Sequence, residues 1–397
     1  MNNTEKEDND EFLINTSNNQ QSDSKPITKI DLNKPDITKI CILKKDGVPF
    51  KKDEKIAKYF TKDDPNKPIY IKSPIFGWIL KYDSDDKKLI LESCKHDTFY
   101  VNLCIKCGFK KTKEYQNQTK EYGFLSNDFS YSLEKAESLE KSVVNKLLKE
   151  EKLILLLDLD NTIIHTSQIK IEPDEIKNLQ DTYKGYFAKV PIKNEINRTD
   201  IILVKFRPFL KTFLKNIKKR YEIFIYTQGT KEYATGIIQY VNINFENDSL
   251  STRRMMYRIL DENGFAKNKS VKNVFPTQEN MILILDDHIE VWKESGDNFI
   301  CIYPYRFFSE KEKDNIDITA FNIGKNNKKK YLRYDFDNVL FCITNLLLCV
   351  HRKFFEFYNK FNYQKSIQRI TKEMLWSIFG GKKFYYHLNY YNCPTKK

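Results

Sequence analysis

Three short apolar runs limit what this chain can fold into more than any other feature of its sequence. They are Leu-Ile-Leu-Leu-Leu at 153–157, Tyr-Glu-Ile-Phe-Ile-Tyr at 221–226 and Met-Ile-Leu-Ile-Leu at 281–285. Between the runs, at about 208–220 and 230–241, apolar residues recur at helical spacing. Near-continuous apolar strands that alternate with helices are typical of a parallel sheet covered on both faces. We therefore predict an α/β domain built on a parallel sheet.

Composition excludes several classes of protein. Of the 397 residues, 40% are hydrophobic and 30% are charged, which is enough apolar material for a sizeable core and excludes full disorder. No apolar run reaches the roughly 18 residues of a membrane span, so we expect no membrane partner. The acidic, polar start (MNNTEKEDND) is unlike a secretory signal or a transit peptide. Eight cysteines in a chain this long fit reduced thiols in a cytosolic or nuclear protein.

The formal net charge of +13 admits nucleic acid or an acidic protein as a partner. Lys, Asn, Ile, Tyr and Phe are abundant along the whole chain, so a general composition bias explains the charge as well. We therefore give the charge little weight and do not expect direct nucleic-acid binding.

Changes in composition along the chain divide it into segments. The predicted segments are a disordered tail at 1–36, a β-rich module at 37–110, a linker and helix at 111–149, the α/β domain at 150–310, a charged linker at 311–332, a helical segment at 333–378 and a tail at 379–397.

Polar residues that can bind ligands or react follow each apolar run. They lie at the carboxyl ends of the predicted strands, which is where ligands bind in open α/β sheets. They are Asp158, Asp160 and Thr162 after the first run, Thr227 after the second, Asp286 and Asp287 after the third, and Lys269 shortly before the third. Acidic residues often simply end strands, so D-x-D-x-T alone is a weak signal. Polar residues at the ends of three strands, in this order, are a far more specific signal of a functional site than that motif alone.

The carboxylates indicate a phosphate-handling site. Asp158 and Asp160 would repel each other if both pointed the same way from a strand, and a divalent cation would relieve that repulsion. Carboxylate ligands from these residues and from Asp286 and Asp287 suit Mg²⁺. One aspartate could then attack phosphorus as a nucleophile while another transfers protons. Lys269 and a threonine hydroxyl would hold phosphoryl oxygens.

Four sequence stretches together resemble the TFIIF-associating RNA polymerase II CTD phosphatase family of the haloacid dehalogenase superfamily. They are LILLLDLDNTIIHTS, KFRPFLKTFLKNIKKRYEIFIYTQGTKEYA, KSVKNVFP and MILILDDHIEVW. The resemblance implies a haloacid dehalogenase-like Rossmannoid sheet and a catalytic phosphatase domain over 150–310. It also implies a nuclear, Mg²⁺-dependent protein serine/threonine phosphatase that acts through an aspartyl-phosphate. The implied partners are the phosphorylated heptad tail of the polymerase and TFIIF.

The resemblance also assigns roles to individual residues. It implies Asp158 as the nucleophile and Asp160 as the general acid and base. The implied phosphate-binding residues are Thr162, Thr227, Lys269 and Arg207, the last from the FRP stretch. The implied Mg²⁺ ligands are Asp158, Asp160, Asp286 and Asp287.

Both flanks of this domain carry further resemblance. GWILKYDSDDKKLILESCKHDTFYVNLCIKCGFK resembles the family's N-terminal module, which is lipoyl-like and ends in a Cys/His cluster, and DFDNVLFCITNLLLCVHRKFFEFYNK resembles the helical segment after the catalytic domain. The tail at 379–397 is long enough only for the start of the BRCT domain that usually follows. Docking through such a domain is therefore in doubt.

A Cys/His cluster in the β-rich module admits two interpretations. Its members are Cys94, His96, Cys104 and Cys107. They could ligate a structural Zn²⁺, or they could be reduced, partly buried thiols beside a histidine. Two single residues of the α/β domain, His165 and Trp292, are interpreted as a packed or hydrogen-bonded histidine and a structural aromatic residue.

Two other functions remain open at this point. A nucleic-acid 3′-phosphatase also uses D-x-D-x-T on this scaffold, and the basic charge favours it slightly. A non-catalytic adaptor of the transcription machinery is the second alternative. The presence of every catalytic position argues against the adaptor.

Overall fold

The computed structural model of the chain describes most of the sequence between Ile14 and Phe361. The described residues are 14–16, 27–122, 129–167, 187–193, 199–245, 250–276, 279–292, 299–307 and 337–361. The predictions for 311–332 and 379–397 fall outside these residues. The other predicted segment boundaries stay predictions.

The chain divides into two compact units, residues 1–121 with 126–136 and residues 122–125 with 137–397. The elements up to residue 149 are β1 Ile14–Thr16, β2 Ile27–Asp31, β3 Ile37–Ile42, β4 Pro49–Phe50, β5 Lys55–Thr61, β6 Ile69–Lys72, β7 Gly77–Asp83, β8 Lys88–Ser93, β9 Thr98–Tyr100, β10 Leu103–Cys104, α1 Lys113–Gln116, β11 Thr119–Lys120, β12 Phe129–Ser132 and α2 Leu133–Lys149. The remaining elements are β13 Leu153–Leu157, β14 Ile164–Ser167, β15 Phe187–Lys193, β16 Thr199–Phe206, α3 Leu210–Ile217, β17 Tyr221–Tyr226, α4 Lys231–Asn244, β18 Met255–Met256, β19 Ile282–Asp286, β20 Phe299–Cys301 and α5 Val339–Phe361.

The first unit is rich in β-structure. Its strands form three antiparallel sheets with the orders β1-β2-β8-β7-β4, β3-β5-β6 and β10-β9-β12-β11. Side chains such as Ile56, Ile79 and Leu91 are completely buried in its core. Buried and more exposed residues alternate in strands such as β2, so that one face of the strand is directed inward.

Strand β2 differs from the predicted tail at 1–36. It pairs with β8 along its whole length, and Thr28 and Ile30 are buried. Only two of its five residues are strongly apolar, so the local sequence carries a weak signal and the pairing with β8 supplies the order. The prediction of a disordered tail therefore does not hold for Ile27–Asp31. Residues 1–13 and 17–26 lie outside the described part of the chain.

The second unit contains the predicted parallel sheet, in the order β18-β17-β13-β19-β20. Strand β13 is central and pairs in parallel with both β17 and β19. All five residues of β13 and of β19 are buried, as their near-continuous apolar sequence predicted. The predicted α/β fold, a parallel sheet with helices that has a β-rich region before it and a helix after it, is thus confirmed.

The helices of this unit bury apolar faces. Helix α3 buries Leu210, Phe213, Leu214 and Ile217, which recur at helical spacing. The Thr230 side chain caps α4 by accepting a hydrogen bond from the Tyr233 main-chain N–H. The long helix α5 buries residues such as Leu340 and Leu347 in the same core as the parallel sheet. No helix within the described ranges is long and apolar enough to cross a bilayer.

Candidate active site

Two aspartates meet at the carboxyl ends of β13 and β19. The strands pair in register, with Leu157 opposite Leu285, and the Asp158 N–H donates to the Leu285 carbonyl at 3.0 Å. Asp158 and Asp286 are the next residues along and are both buried. The sheet itself therefore fixes these two carboxyl groups beside each other.

Lys269 joins the two carboxylates. Its Nζ lies 2.6 Å from Asp158 Oδ1 and 2.6 Å from Asp286 Oδ2. The Lys269 N–H donates to the Val291 carbonyl, which holds this segment near the end of β19. The ammonium also lies 5.7 Å from the Tyr226 ring centroid and 5.5 Å from that of Trp292, in a largely apolar setting.

Burial and charge act in opposite directions on these groups. Burial raises the pKa of Asp158, and the charge of Lys269 opposes that rise. Burial disfavours the ammonium of Lys269, but the two neighbouring carboxylates raise its pKa on balance. A charged lysine at this point therefore stabilises the carboxylate form of its partners.

Three carboxyl groups could hold a magnesium ion. Oxygens of Asp158, Asp286 and Asp287 lie within 4.8 Å of one another. Burial, followed by the charge of Asp286, raises the pKa of Asp287 to about 6. An all-oxygen, buried and electronegative set of this kind fits Mg²⁺.

The Asp286 carboxylate already accepts several hydrogen bonds. The His288 N–H donates to Oδ1 at 2.8 Å, and Trp292 Nε1 donates to Oδ2 at 2.9 Å. Trp292, predicted as a structural aromatic residue, thus also orients a carboxylate. Because Asp286 also contacts Lys269, Asp287 is the better placed of the adjacent pair to bind a cation.

Asp160 lies in a separate hydrogen-bond network. The Tyr233 hydroxyl donates to Asp160 Oδ1 at 2.5 Å, and Thr166 Oγ1 lies 3.4 Å from the same oxygen. Burial raises the pKa of Asp160, although the hydrogen bond from Tyr233 partly opposes this effect. Its carboxyl group is absent from the described three-carboxylate group, in contrast to its predicted role as a Mg²⁺ ligand. The geometry suits a group that holds and transfers a proton.

The end of β17 supplies a buried hydroxyl and a tight turn. Thr227 Oγ1 accepts a hydrogen bond from the Gly229 N–H at 2.9 Å. A Cβ added at Gly229 would lie 2.5 Å from Cδ1 of Tyr233, so the close approach of that ring requires glycine. The turn therefore brings Thr227 and Tyr233 together. The Thr-x-Gly sequence at 227–229 and the capped helix α4 that follows it are compatible with such a turn.

Arg207 and Thr162 are completely buried beneath this site. Arg207 Nη1 donates to the main-chain oxygen of Thr162 at 2.9 Å, and its Nε donates to Asp337. Thr162 Oγ1 has no hydrogen-bond partner among the described atoms. Because Arg207 is held by the Thr162 carbonyl and by Asp337, it positions the D-x-D-x-T loop, and its predicted phosphate contact stays a prediction. Phosphate binding by Thr162 stays a prediction.

Sequence reasoning missed some participants. Tyr233 and Thr166 contact Asp160, and the sequence analysis gave neither of them a role. The position of Tyr233 in the first turn of α4 could have indicated that it lies at the site. His165 was interpreted as packed or hydrogen-bonded, and its Nδ1 does accept a hydrogen bond from the Phe307 N–H at 2.8 Å. The predicted zinc ligands come together in the first unit and are described below.

Comparisons with known proteins match the region that carries this site. The family model of NLI interacting factor-like phosphatases matches residues 153–327. A solved structure titled as that of Fcp1, an essential RNA polymerase II CTD phosphatase, is 23% identical with a TM-score of 0.47, and the match covers 60% of this chain and 74% of that one.

Several curated relatives share one description, that of an RNA polymerase II C-terminal domain phosphatase. The Schizosaccharomyces pombe protein is 31% identical over 240 residues, which cover 55% of this chain and 31% of the relative. The human protein is 29% identical, with 55% of this chain and 22% of the relative covered. The Encephalitozoon cuniculi protein is 31% identical, with coverages of 54% and 47%. The chain thus matches less than half the length of each. Residues 153–327 are thus similar to NLI interacting factor-like phosphatases, and the curated relatives that the chain resembles are RNA polymerase II C-terminal domain phosphatases.

Proposed function

We propose that the chain is a Mg²⁺-dependent protein serine/threonine phosphatase that acts on the phosphorylated heptad tail of RNA polymerase II through an aspartyl-phosphate. One observation carries the chemistry. Two aspartates of the same loop have separate surroundings, since Asp158 contacts Lys269 and Asp160 contacts Tyr233. Two carboxyl groups in different environments can take two different roles.

In the first step, a carboxylate oxygen of Asp158 attacks phosphorus and the bond from phosphorus to the serine or threonine oxygen breaks. The protonated carboxyl of Asp160 gives its proton to that leaving oxygen. The raised pKa of Asp160 supports this role, because burial keeps a proton on the group. The products are the free hydroxyl and a phosphoryl group on Asp158.

In the second step, water attacks the phosphorus of that aspartyl-phosphate. The Asp160 carboxylate takes a proton from the water, and the bond from phosphorus to Asp158 breaks. Inorganic phosphate leaves, and both aspartates return to their starting forms. The same residue thus serves as acid and then as base.

Positive charges and hydrogen-bond donors at the site would stabilise the negative charge of the phosphoryl oxygens and the carboxylates. Mg²⁺ bound by Asp158, Asp286 and Asp287 would neutralise charge on the phosphoryl oxygens. Lys269 would contribute a fixed positive charge, and the Thr227 hydroxyl would donate a hydrogen bond. Catalysis would come mainly from such positioning and electrostatics.

The substrate and the cellular setting rest on relatives. The names of the curated relatives support the polymerase tail as substrate and, through it, a nuclear function. TFIIF as a partner rests on the family resemblance of the sequence. Zinc in the first unit is a separate proposal.

The decisive experiment measures phosphate release from a phosphorylated heptad peptide, with Mg²⁺ and with a chelator. Asp158→Asn should abolish release without changing the circular dichroism spectrum. Glu356→Gln on α5, whose side chain is exposed, is the matched control and should keep full activity. Near-wild-type release by Asp158→Asn would contradict the nucleophile assignment.

A DNA oligonucleotide with a 3′-phosphate, assayed in parallel, separates the competing enzyme function. Faster release from the oligonucleotide than from the peptide would favour a nucleic-acid 3′-phosphatase. Absence of release from either substrate, with polymerase binding unchanged in Asp158→Asn, would favour the adaptor.

A further inference from the structure

Four potential metal ligands converge in the first unit, and none of them has a role in the proposed chemistry. Ligand atoms of Cys94, His96, Cys104 and Cys107 all lie within 4.8 Å of one another. Cys94 and His96 follow β8, Cys104 ends β10, and Cys107 lies in the next turn. Two neighbouring segments of the chain therefore contribute two ligands each.

The distances fit a single tetrahedral metal ion. Cys94 Sγ and Cys104 Sγ are 3.7 Å apart, and Cys107 Sγ lies 3.3 Å from His96 Nδ1. Two thiolates bound tetrahedrally to one zinc at about 2.3 Å would be about 3.8 Å apart, and a thiolate and an imidazole nitrogen about 3.5 Å. A small adjustment of the side chains would complete the site.

The main-chain conformation around the four ligands brings their side chains together. The Gly108 N–H donates to the Cys104 carbonyl at 2.9 Å, and the Cys104 N–H donates to the Phe109 carbonyl at 2.8 Å. Gly108 has a φ of 72°, which glycine adopts without strain. His96 has a φ of 48°, which is uncommon for a residue with a side chain. A bound metal would offset the cost of that conformation.

Aromatic side chains enclose the cluster. The Phe109 ring stacks on His96 with centroids 4.3 Å apart, and Phe76 and Tyr115 meet the same imidazole edge-on. The three cysteines are at most 6% exposed. All three are free thiols, so the cluster is not held together by a disulfide.

We propose that these four residues bind one structural Zn²⁺ that ties the end of β8 to the β9–β10 hairpin. Three sulfurs and one imidazole nitrogen fill a tetrahedral shell, which leaves no coordination position for substrate. On binding, each thiol gives up its proton and zinc takes the thiolate. The metal links two small sheets of the unit, and this role is independent of the proposed phosphatase activity.

The test begins with the metal content of the full-length protein, expressed with zinc in the medium and purified without chelator. Mass spectrometry of the dissolved protein should find about one zinc per chain, as a closed four-ligand site requires. Cys104→Ser and His96→Ala should lower the zinc content to background. The matched control is Cys41→Ser, a half-buried cysteine of the same unit that lies outside the cluster, and it should retain the metal.

Cobalt-substituted wild-type protein keeps the proposal testable if the variants do not fold. Tetrahedral cobalt bound by thiolates should give intense visible bands and a sulfur-to-cobalt charge-transfer band. Cobalt bound at the carboxylate site alone would give only a weak spectrum, because its ligands are oxygens.

Three results would overturn the proposal. One is folded wild-type protein with no zinc and with all three cysteines of the cluster reduced and open to alkylation. Another is a Cys94–Cys104 disulfide detected by mass. The third is zinc that persists in Cys104→Ser but is lost in Asp287→Asn, which would place the ion at the carboxylates.

Discussion

Arg207 and Asp337 form a buried ion pair between residues 130 positions apart in the chain. Arg207 Nη2 lies 3.0 Å from Asp337 Oδ2, and the arginine side chain is completely buried while that of Asp337 is 15% exposed. Asp337 also accepts a hydrogen bond from the Val339 N–H at the start of α5. One carboxylate thus joins the D-x-D-x-T loop, through Arg207 and Thr162, to the long helix.

Loss of this carboxylate should destabilise the protein strongly. Asp337→Ala leaves a guanidinium buried without its partner, so we expect the free energy of unfolding to fall by about 3–5 kcal/mol. Urea unfolding followed by circular dichroism measures the loss. Glu356→Gln on the same helix removes an exposed charge and should cost at most about 0.5 kcal/mol. Equal effects of the two variants would contradict the role of the pair.

Tyr233 should matter for turnover more than for folding. Tyr233→Phe removes a hydrogen bond to a carboxyl group, which is worth about 1.5–3 kcal/mol, so kcat should fall by roughly 10- to 100-fold. Steady-state kinetics on a phosphorylated heptad peptide measures the effect. Tyr240→Phe makes the same chemical change on the same helix, where the ring stacks on Phe206, and should leave kcat unchanged. A kcat of Tyr233→Phe equal to that of wild type would show that the contact with Asp160 plays no part in the reaction.

Magnesium should stabilise the site more when Lys269 is missing. Lys269→Met leaves Asp158 and Asp286 buried without a cation, which should cost about 3–5 kcal/mol in a chelator. Because Mg²⁺ would neutralise the same carboxylates, its addition should raise the Tm of Lys269→Met more than that of wild type. Thermal unfolding with and without Mg²⁺ tests this expectation. Lys267→Met, which changes an exposed lysine nearby, serves as control. Identical Mg²⁺-induced changes in Tm for Lys269→Met and wild type would argue against a shared site.

His351 should make stability depend on pH. Its Nε2 lies 2.6 Å from the Glu151 carbonyl oxygen, and burial lowers the pKa of the imidazole below its ordinary value of 6.5. The folded protein therefore binds fewer protons here than the unfolded chain as the pH falls below 6.5. Its contribution to stability is complete above that value and is lost as the pH falls towards the folded-state pKa.

The test compares the pH dependence of urea unfolding between about pH 7 and pH 5, where an ordinary histidine titrates. Part of the decline in stability should disappear in His351→Gln. His288→Gln, at a histidine whose side chain is 61% exposed, should leave the decline unchanged. A decline of the same slope in His351→Gln would mean that other groups cause it.

The central strands could be read from the sequence because burial on both faces leaves a continuous apolar signal. The prediction for β13 matches at both ends, and β19 is shifted by one residue so that it includes Asp286. The convergence of Asp158 and Asp286 followed from the rule that parallel strands present their carboxyl ends at one edge, whereas Lys269 precedes β19 and the rule does not place it.

The rest of the site depends on contacts that a local pattern does not encode. The sequence argument considered Asp158 and Asp160 as they would point from a regular strand, but β13 ends at Leu157 and Asn161 adopts a φ of 56°, so the chain turns. After this turn the Asp160 carboxyl accepts a hydrogen bond from the Tyr233 hydroxyl. The partner of Arg207 was equally hidden, since it lies 130 positions further along the chain.

The ladder between β13 and β19 has a consequence for how this scaffold can change. Main-chain bonds between adjacent strands set the spacing of Asp158 and Asp286, whatever the length of the chain that joins those strands. The separation of these two carboxyl groups therefore does not depend on the connecting segments, whereas the positions of Asp160, Tyr233 and Lys269, which lie in those segments, do. Under the proposed function, selectivity for a new phosphorylated target would have to be engineered in the parts of the connections that leave those three residues in place.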